Sequence, residues 1–478
     1  MSEEQVPVGL SAEEWSATPA SVRQMVLGLV QANEELRARV AKLEERLRQN
    51  SSNSSKPPSS DAPNAPKPPV RQPSGRQQGG QIGHAGQSRL LKAVEQVDRV
   101  IELRPSVCGA CGALLLGDDP TARRHQVTEL PRIEPVVTEY RCHTLNGLAC
   151  GASTTAEWPT EMPSGSFGPR VEATVGYLSG RMGLSQRDVV EAMDALYHTM
   201  IGLGSVSSLE TAVSQALAPA VTEAETYIRQ QPEVKIDETG WREQGKRAWL
   251  WVGATPCVAV FLVLKTRGGQ GVRALIGEFF PGIIGSDRWS AYNWLAPTNR
   301  QLCWAHLKRD FQKLVERGAE SALLGQGLLV QVENLFDLWQ RVRDGTLARA
   351  DFADKIQPLR TEIHQLLSDG AALAHPQTKR LCQNLLKLEV ALWTFVSVEG
   401  GEPTNNFAER CLRRAVLWRR RSFGTQSSDG SLFVAHVLTT VTSLRLQQRD
   451  VLDFLTQACV AANAQQKPPS LLPISLST

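Results

Sequence analysis

The spacing of apolar positions divides the chain into stretches of different period. Residues 22–49 carry a heptad in which Val26, Asn33, Val40 and Leu47 share one position and Leu29, Leu36 and Leu43 fall three residues later. That is the a/d pattern of a short coiled coil, and Asn33 at an a position favours a parallel pair in fixed register. Residues 50–88 are Ser, Asn, Pro, Gly and Gln with almost no large apolar group. Such a segment cannot offset its ordering entropy, so a disordered linker is expected. It is basic, with Lys56, Lys67, Arg71 and Arg76 against Asp61 alone.

Residues 89–160 read as a small β-module with a strand-like alternation over Pro135–Cys142. Residues 166–230 are helical. Ser185 caps a helix through Leu196, and a second helix starts near Ser205, the outline of a helix-turn-helix. In residues 231–311, Val234–Asp237 reads as a short strand ending in an acid. Ala248–Val252 and Cys257–Leu264 read as two more strands, and a further strand after a helix runs into Asp287. Residues 312–398 are helical throughout, with apolar stripes at Leu328, Val332, Leu335 and Trp339 and at Leu381, Leu385, Leu388 and Leu392. They form an all-α insertion, after which residues 399–460 complete the domain begun at 231.

Composition narrows the classes. Of 478 residues, 41% are hydrophobic and 21% charged, which excludes a wholly disordered chain and a collagen. The most apolar run, residues 248–264, is broken by Gly253, Thr255 and Pro256, so no membrane span is expected. The acidic start, Met-Ser-Glu-Glu-Gln, is not expected to be a secretory signal, and nine cysteines are an odd number, so a reducing cytoplasm and metal ligation before disulfides are expected. The formal charge is only +3, so nucleic-acid binding requires clustered basic residues. Residues 401–450 supply such a cluster, with eight arginines, no lysine and four acids.

The candidate chemistry lies in two groups. Cys108-Gly-Ala-Cys111 followed by Cys142 and Cys150 resembles the four-thiolate layout of a structural zinc ribbon, with His143 a rival ligand and the second pair spaced more widely than usual. Asp237 and Asp287 each close an apolar strand, and hard oxygen donors suit Mg²⁺ or Mn²⁺. Glu409 opens an arginine-rich helix that Thr404 or Asn405 can cap, so a carboxylate and the phosphate-neutralising Arg410, Arg413 and Arg414 sit together. Cys303, His306 and Arg309 recur at helical spacing, too few for a closed zinc site.

These motifs, in this order, resemble the transposases of the insertion-sequence 66 family, of the Asp-Asp-Glu class. The resemblance rests on the leucine-periodic helix running into Asn50–Asp61, on Gly79-Gly-Gln-Ile-Gly-His84, and on Cys108-x-x-Cys111-Gly. It continues through Asp237-Glu-Thr, Ser286-Asp287 to Tyr292, Cys303-x-x-His306 with Arg309, and Asn405-Asn-x-x-Glu409-Arg. It implies an α+β multidomain chain with an RNase H-like mixed α/β catalytic domain. Asp237, Asp287 and Glu409 would be catalytic and would hold two divalent cations, with Cys303 and His306 supporting the site and Arg309 helping to hold phosphate. The implied activity is cleavage of double-stranded DNA at element ends and strand transfer by 3′-hydroxyl attack on target DNA. The implied partners are a second copy of the chain and accessory proteins of the same element, with location in the cytoplasm at the nucleoid. The rival expectation is a non-catalytic DNA-binding regulator derived from such an enzyme.

Overall fold

The computed structural model describes residues 11–50, 54–56, 90–160, 162–163 and 165–473. Most of the expected linker, with Lys67, Arg71 and Arg76, lies outside the described residues. A short helix α1 (Ala12–Ala17) precedes α2 (Ala20–Arg48), one continuous helix over the heptad segment. Its d-position leucines face solvent, Leu29 and Leu36 being 60% and 61% exposed. Among the described residues no helix is long and apolar enough to cross a membrane.

In residues 90–160 the ladder is smaller than expected and displaced. The alternating run at 135–142 forms no strand, and the hairpin forms later, between β1 (Thr144–Asn146) and β2 (Ser153–Thr155). Leu130, Val136 and Val137 are more than four-fifths exposed, so this module has little core of its own.

The helices α3 (Pro169–Gly176), α4 (Gln186–Tyr197) and α5 (Leu203–Ile228) follow, with a π-helical turn at Tyr177–Met182. Ser185 caps α4 by accepting from the Asp188 amide at 3.2 Å, and the Asp188 carboxylate accepts from the Ser185 amide in return. α5 is longer than the expected recognition helix. Its Val213, Leu217, Ala220, Val221 and Ile228 are buried against the central sheet, so that face is committed to the core.

That sheet has five strands: β3 (Glu233–Glu243), β4 (Lys246–Ala254), β5 (Ala259–Leu264), β6 (Ile283–Ser286) and β7 (Arg300–Leu302), with α6 (Gly269–Ile276) between β5 and β6. The order is β5-β4-β3-β6-β7, antiparallel from β5 to β3 and parallel from β3 to β7. β3 does not end at Asp237 as its apolar pattern suggested. It runs six residues further because the hairpin with β4 continues to the Glu243–Lys246 pair, whereas pairing with β6 stops at Lys235. Asp237 therefore lies mid-strand, just where the parallel ladder gives out.

Helices α7 (Trp304–Glu316), α8 (Ala319–Arg343), α9 (Arg349–Lys355), α10 (Gln357–Ala372), α11 (Pro376–Lys387) and α12 (Glu389–Ser397) occupy the next stretch. They share a core around Leu328, Leu335, Phe352, Leu367 and Leu385, all fully buried. The chain then returns as α13 (Asn406–Ser422), α14 (Ser428–Leu446) and α15 (Val451–Asn463). α13 covers the sheet through Ala408, Leu412 and Ala415, against Trp241, Leu250 and Val252. α14 seals the β5 edge: the Thr439 and Ser443 hydroxyls accept from the Phe261 and Ala259 amides at 2.9 and 3.0 Å. Free strand-edge donors are thereby satisfied without another strand.

Candidate active site

Three elements deliver acids to one place. Asp237 stands where β3 parts from β6, Asp287 follows the last residue of β6, and Glu409 lies in the first turn of α13. Asn405 fastens that helix to the sheet. Of Thr404 and Asn405, the two candidate caps of α13, Asn405 holds the cap position, but its side chain makes no cap hydrogen bond: its Nδ2 donates to the Ile236 carbonyl at 2.7 Å, one residue before Asp237. Its amide donates to the Cys303 sulfur at 3.1 Å, tying α13 to the start of α7 as well.

The carboxylates sense one another. Burial pushes the Asp237 carboxyl well above the ordinary carboxylate range, and the charges of Glu238, Glu409 and Asp287 push it the same way. Asp287 accepts from the Trp289 amide at 2.9 Å, which orients its side chain. Glu409 Oε1 stands 3.5 Å from His306 Nδ1, and neither atom has a hydrogen-bond partner among the described residues. Burial and the charge of Arg309 hold His306 below the ordinary imidazole range, so the ring favours its neutral form. Cys303, His306 and Glu409 offer ligand atoms within 4.8 Å of one another, the one such group of three among the described residues. Cys303 is buried and its thiol is pushed up, chiefly by burial, so it stays protonated and serves as a hydrogen-bond acceptor for α13.

Glu238 is not among the acids that the sequence singles out, and tertiary packing gives it a place. Its carboxylate is 2% exposed, takes a 2.8 Å hydrogen bond from Arg267 Nε and faces Tyr292 Oη at 3.5 Å. Burial, and then the charge of Asp287, raise it to about 7. Arg267 is stacked between Trp249 and Trp289, 4.7 and 4.2 Å from their ring centroids. These side chains line a cavity of about 1010 Å³ that also holds Arg242, Arg247 and Phe423. Nothing in their sequence spacing links Trp249, Arg267 and Trp289, which come from three separate elements.

The arginines divide. Arg410, Arg413 and Arg414 are exposed along α13, and Arg309 is half-buried beside His306. Arg419, from the same basic run, turns inward and donates to Thr239 Oγ1 at 2.9 Å and to the Gly240 carbonyl, clamping α13 to β3.

No three of the sulfurs of Cys108, Cys111, Cys142 and Cys150 lie within 4.8 Å of one another. Cys108 and Cys111 share a turn in which the Gly112 amide donates to the Cys108 carbonyl and the Cys108 amide to the Ala113 carbonyl, at 2.9 and 2.8 Å. The same two bonds recur 39 residues later, Gly151 to Gly147 and Gly147 to Ala152, at 2.7 and 2.8 Å. Gly112 and Gly151 both adopt left-handed backbone, at φ +72° and +69°. Position for position, Cys150 matches Cys111, and Gly147 stands where Cys108 stands. A Cβ at Gly147 would lie 3.0 Å from Cys150 Sγ. Cys142, its thiol bonded to the Ala156 carbonyl at 2.7 Å, is five residues of largely extended chain, roughly 16 Å, from Gly147. The donor set therefore does not fit a four-thiolate zinc site closed by Cys142. Gly147→Cys is expected to raise bound zinc, measured by plasma emission on the purified chain, from well below one equivalent to one. A wild-type chain already carrying a full equivalent that resists chelation would contradict this.

Comparison with known proteins gives two family matches. Residues 165–431 match the model described as transposase IS66 family, and residues 10–90 match a family of unknown function, DUF6444. Two proteins of Sinorhizobium fredii are similar over most of both chains. The uncharacterized protein y4hP is 24% identical over 74% of this chain and 70% of its own. The uncharacterized protein y4qI is 25% identical over 76% of this chain and 72% of its own.

Proposed function

The chain belongs to the IS66 family of transposases, and from that premise we propose that it cuts element-end DNA and joins it to target DNA with Asp237, Asp287 and Glu409 as its catalytic carboxylates. The observation that carries this reading is the convergence of three acids from β3, β6 and α13, close enough for the others to raise the carboxyl of Asp237. Mixed strand polarity in the order β5-β4-β3-β6-β7 supports an RNase H-like sheet.

The site fits Mg²⁺ or Mn²⁺ by its donors: hard oxygens, mutually repelling and short of positive partners. Two such ions, held by Asp237, Asp287 and Glu409, would supply activation of water and then of a 3′-hydroxyl, and would neutralise charge on the displaced oxygen. The chain's own groups do the rest. Asn405 and Cys303 set the depth of α13, and hence of Glu409, against β3. Neutral His306 flanks Glu409 without competing for its charge. Arg410, Arg413 and Arg414 hold backbone phosphate, a contact that positions DNA without reading its sequence. The stacked Arg267, with Trp249 and Trp289 beside it, offers an unpaired strand a cationic and aromatic wall. The solvent-facing leucines of α2 support pairing of two chains, which brings two element ends together.

A strand-transfer assay with cognate ends and Mn²⁺ tests the proposal. Joined products that disappear with chelator are expected. End binding without cleavage identifies a regulator instead, and cutting without end preference or joining identifies a general nuclease.

A further inference from the structure

The π-helical turn at Tyr177–Met182 presses directly on α14, because a Cβ at Gly180 would lie 2.6 Å from Val437 Cγ2. With α13 the two enclose a cavity of about 660 Å³. Among the described residues six arginines line it (Arg181, Arg410, Arg414, Arg420, Arg421 and Arg445) and no acid does. Leu438, Val441 and Leu446 are among its apolar lining residues. The α13 residues that face it centre about 140° round the helix from Glu409, so the cavity opens on the flank away from His306.

Arg181 is the residue that asks for an occupant. Its Nε and Nη1 are buried and have no hydrogen-bond partner among the described residues. Burial, then the charges of Arg414 and Arg445, hold its guanidinium below the ordinary arginine range. A guanidinium stays charged at physiological pH, so its unpaired buried donors remain a cost until an anion supplies acceptors.

We propose that this cavity extends the phosphate contact of Arg410 and Arg414 into a pocket, in which Arg181, flanked by Arg414 and Arg445, takes a backbone phosphate of DNA whose scissile bond lies at the carboxylates. The proposal rests on the chain acting on DNA. A strand, and not a small anion, is the occupant because the arginines outrun the cavity. Arg410, Arg414 and Arg421 follow one face of α13 for about 16 Å, a length that meets several phosphates of one strand. The site holds DNA in place and reads no base.

Anisotropy measurements with labelled duplex across a salt series test it on the full chain. Arg181→Gln and Arg445→Gln are each expected to weaken binding several-fold and to reduce the slope of log affinity against log salt by about one. The loss is expected to be equal on element-end and unrelated duplex, and Arg181→Lys is expected to keep most of the slope. Removing a charge with no partner is expected to hold or raise the melting temperature of Arg181→Gln. Should that variant misfold, Arg445→Gln, at an exposed position, carries the slope test. Unchanged slopes overturn the proposal. So does thermal stabilisation by inorganic phosphate or a deoxynucleoside monophosphate that persists at saturating DNA, which assigns the cavity to a small anion. If the wild type shows the slope loss on mutation yet never cleaves DNA, the phosphate site stands and the enzymatic reading fails.

Discussion

Asp287→Asn and Glu409→Gln are each expected to lower metal-dependent strand cleavage by about 10³-fold, the equivalent of ~4 kcal/mol of transition-state stabilisation. Duplex binding should stay nearly unchanged. Both substitutions keep size and one carbonyl oxygen. Asn at 287 still accepts from the Trp289 amide, so the loop after β6 keeps its shape. Glu409 faces a neutral imidazole and, among the described residues, has no cationic partner to strand. Only a negative charge is removed, and negative charge is what holds hard cations. Asp237→Asn should be equally inactive but more stable than wild type without metal, since it removes the member of the cluster that burial and three like charges oppose most. That inverse relation between stability and activity is expected where a site stores repulsion for its ligand. Rates within tenfold of wild type for all three variants would remove these carboxylates from the chemistry.

The second large effect is a pH dependence of stability in metal-free protein. Glu238 is raised from its ordinary 4.5 to about 7 in the folded chain. Between those values the native state keeps a proton that the unfolded chain has released, so stability falls as pH rises through this window. The stabilisation is fully present below about 4.5 and is gone above about 7. A shift of that size corresponds to roughly 3 kcal/mol. Asp237 acts with the same sign. Denaturant melts in chelator from acid to neutral pH should therefore show wild type losing stability relative to Glu238→Gln. Curves that stay parallel would place the Glu238 proton elsewhere. Added Mn²⁺ should stabilise wild type more at neutral than at acid pH, because protons and cations compete for the same cluster.

How much of this was legible beforehand depends on the range of the interaction. Short-range patterns were readable. The heptad gave α2 within two residues at its start, and Ser185 gave the N-terminus of α4. The alternating and continuous apolar runs gave the three antiparallel strands, although not the length of β3 or the existence of β7. β3 is long because β4 pairs with it beyond Asp237, and an apolar pattern along one strand carries no information about where its partner stops.

The sequence by itself determined the chemical inventory: three acids with apolar or capping neighbours, a thiol and an imidazole one turn apart, an arginine-rich helix, and one well-formed cysteine turn. Each is written in spacing over a few residues, where helical and strand periodicity and capping operate. Tertiary structure alone decided which of these groups meet. Asn405 reaches Ile236 across 169 residues and brings Glu409 to the aspartates, Arg419 is diverted from solvent to β3, Arg181 is left facing a cavity without a partner, and Gly147 occupies the place of a ligand. Those outcomes follow from which buried surfaces pack against which, and packing between distant segments leaves no local periodicity to read.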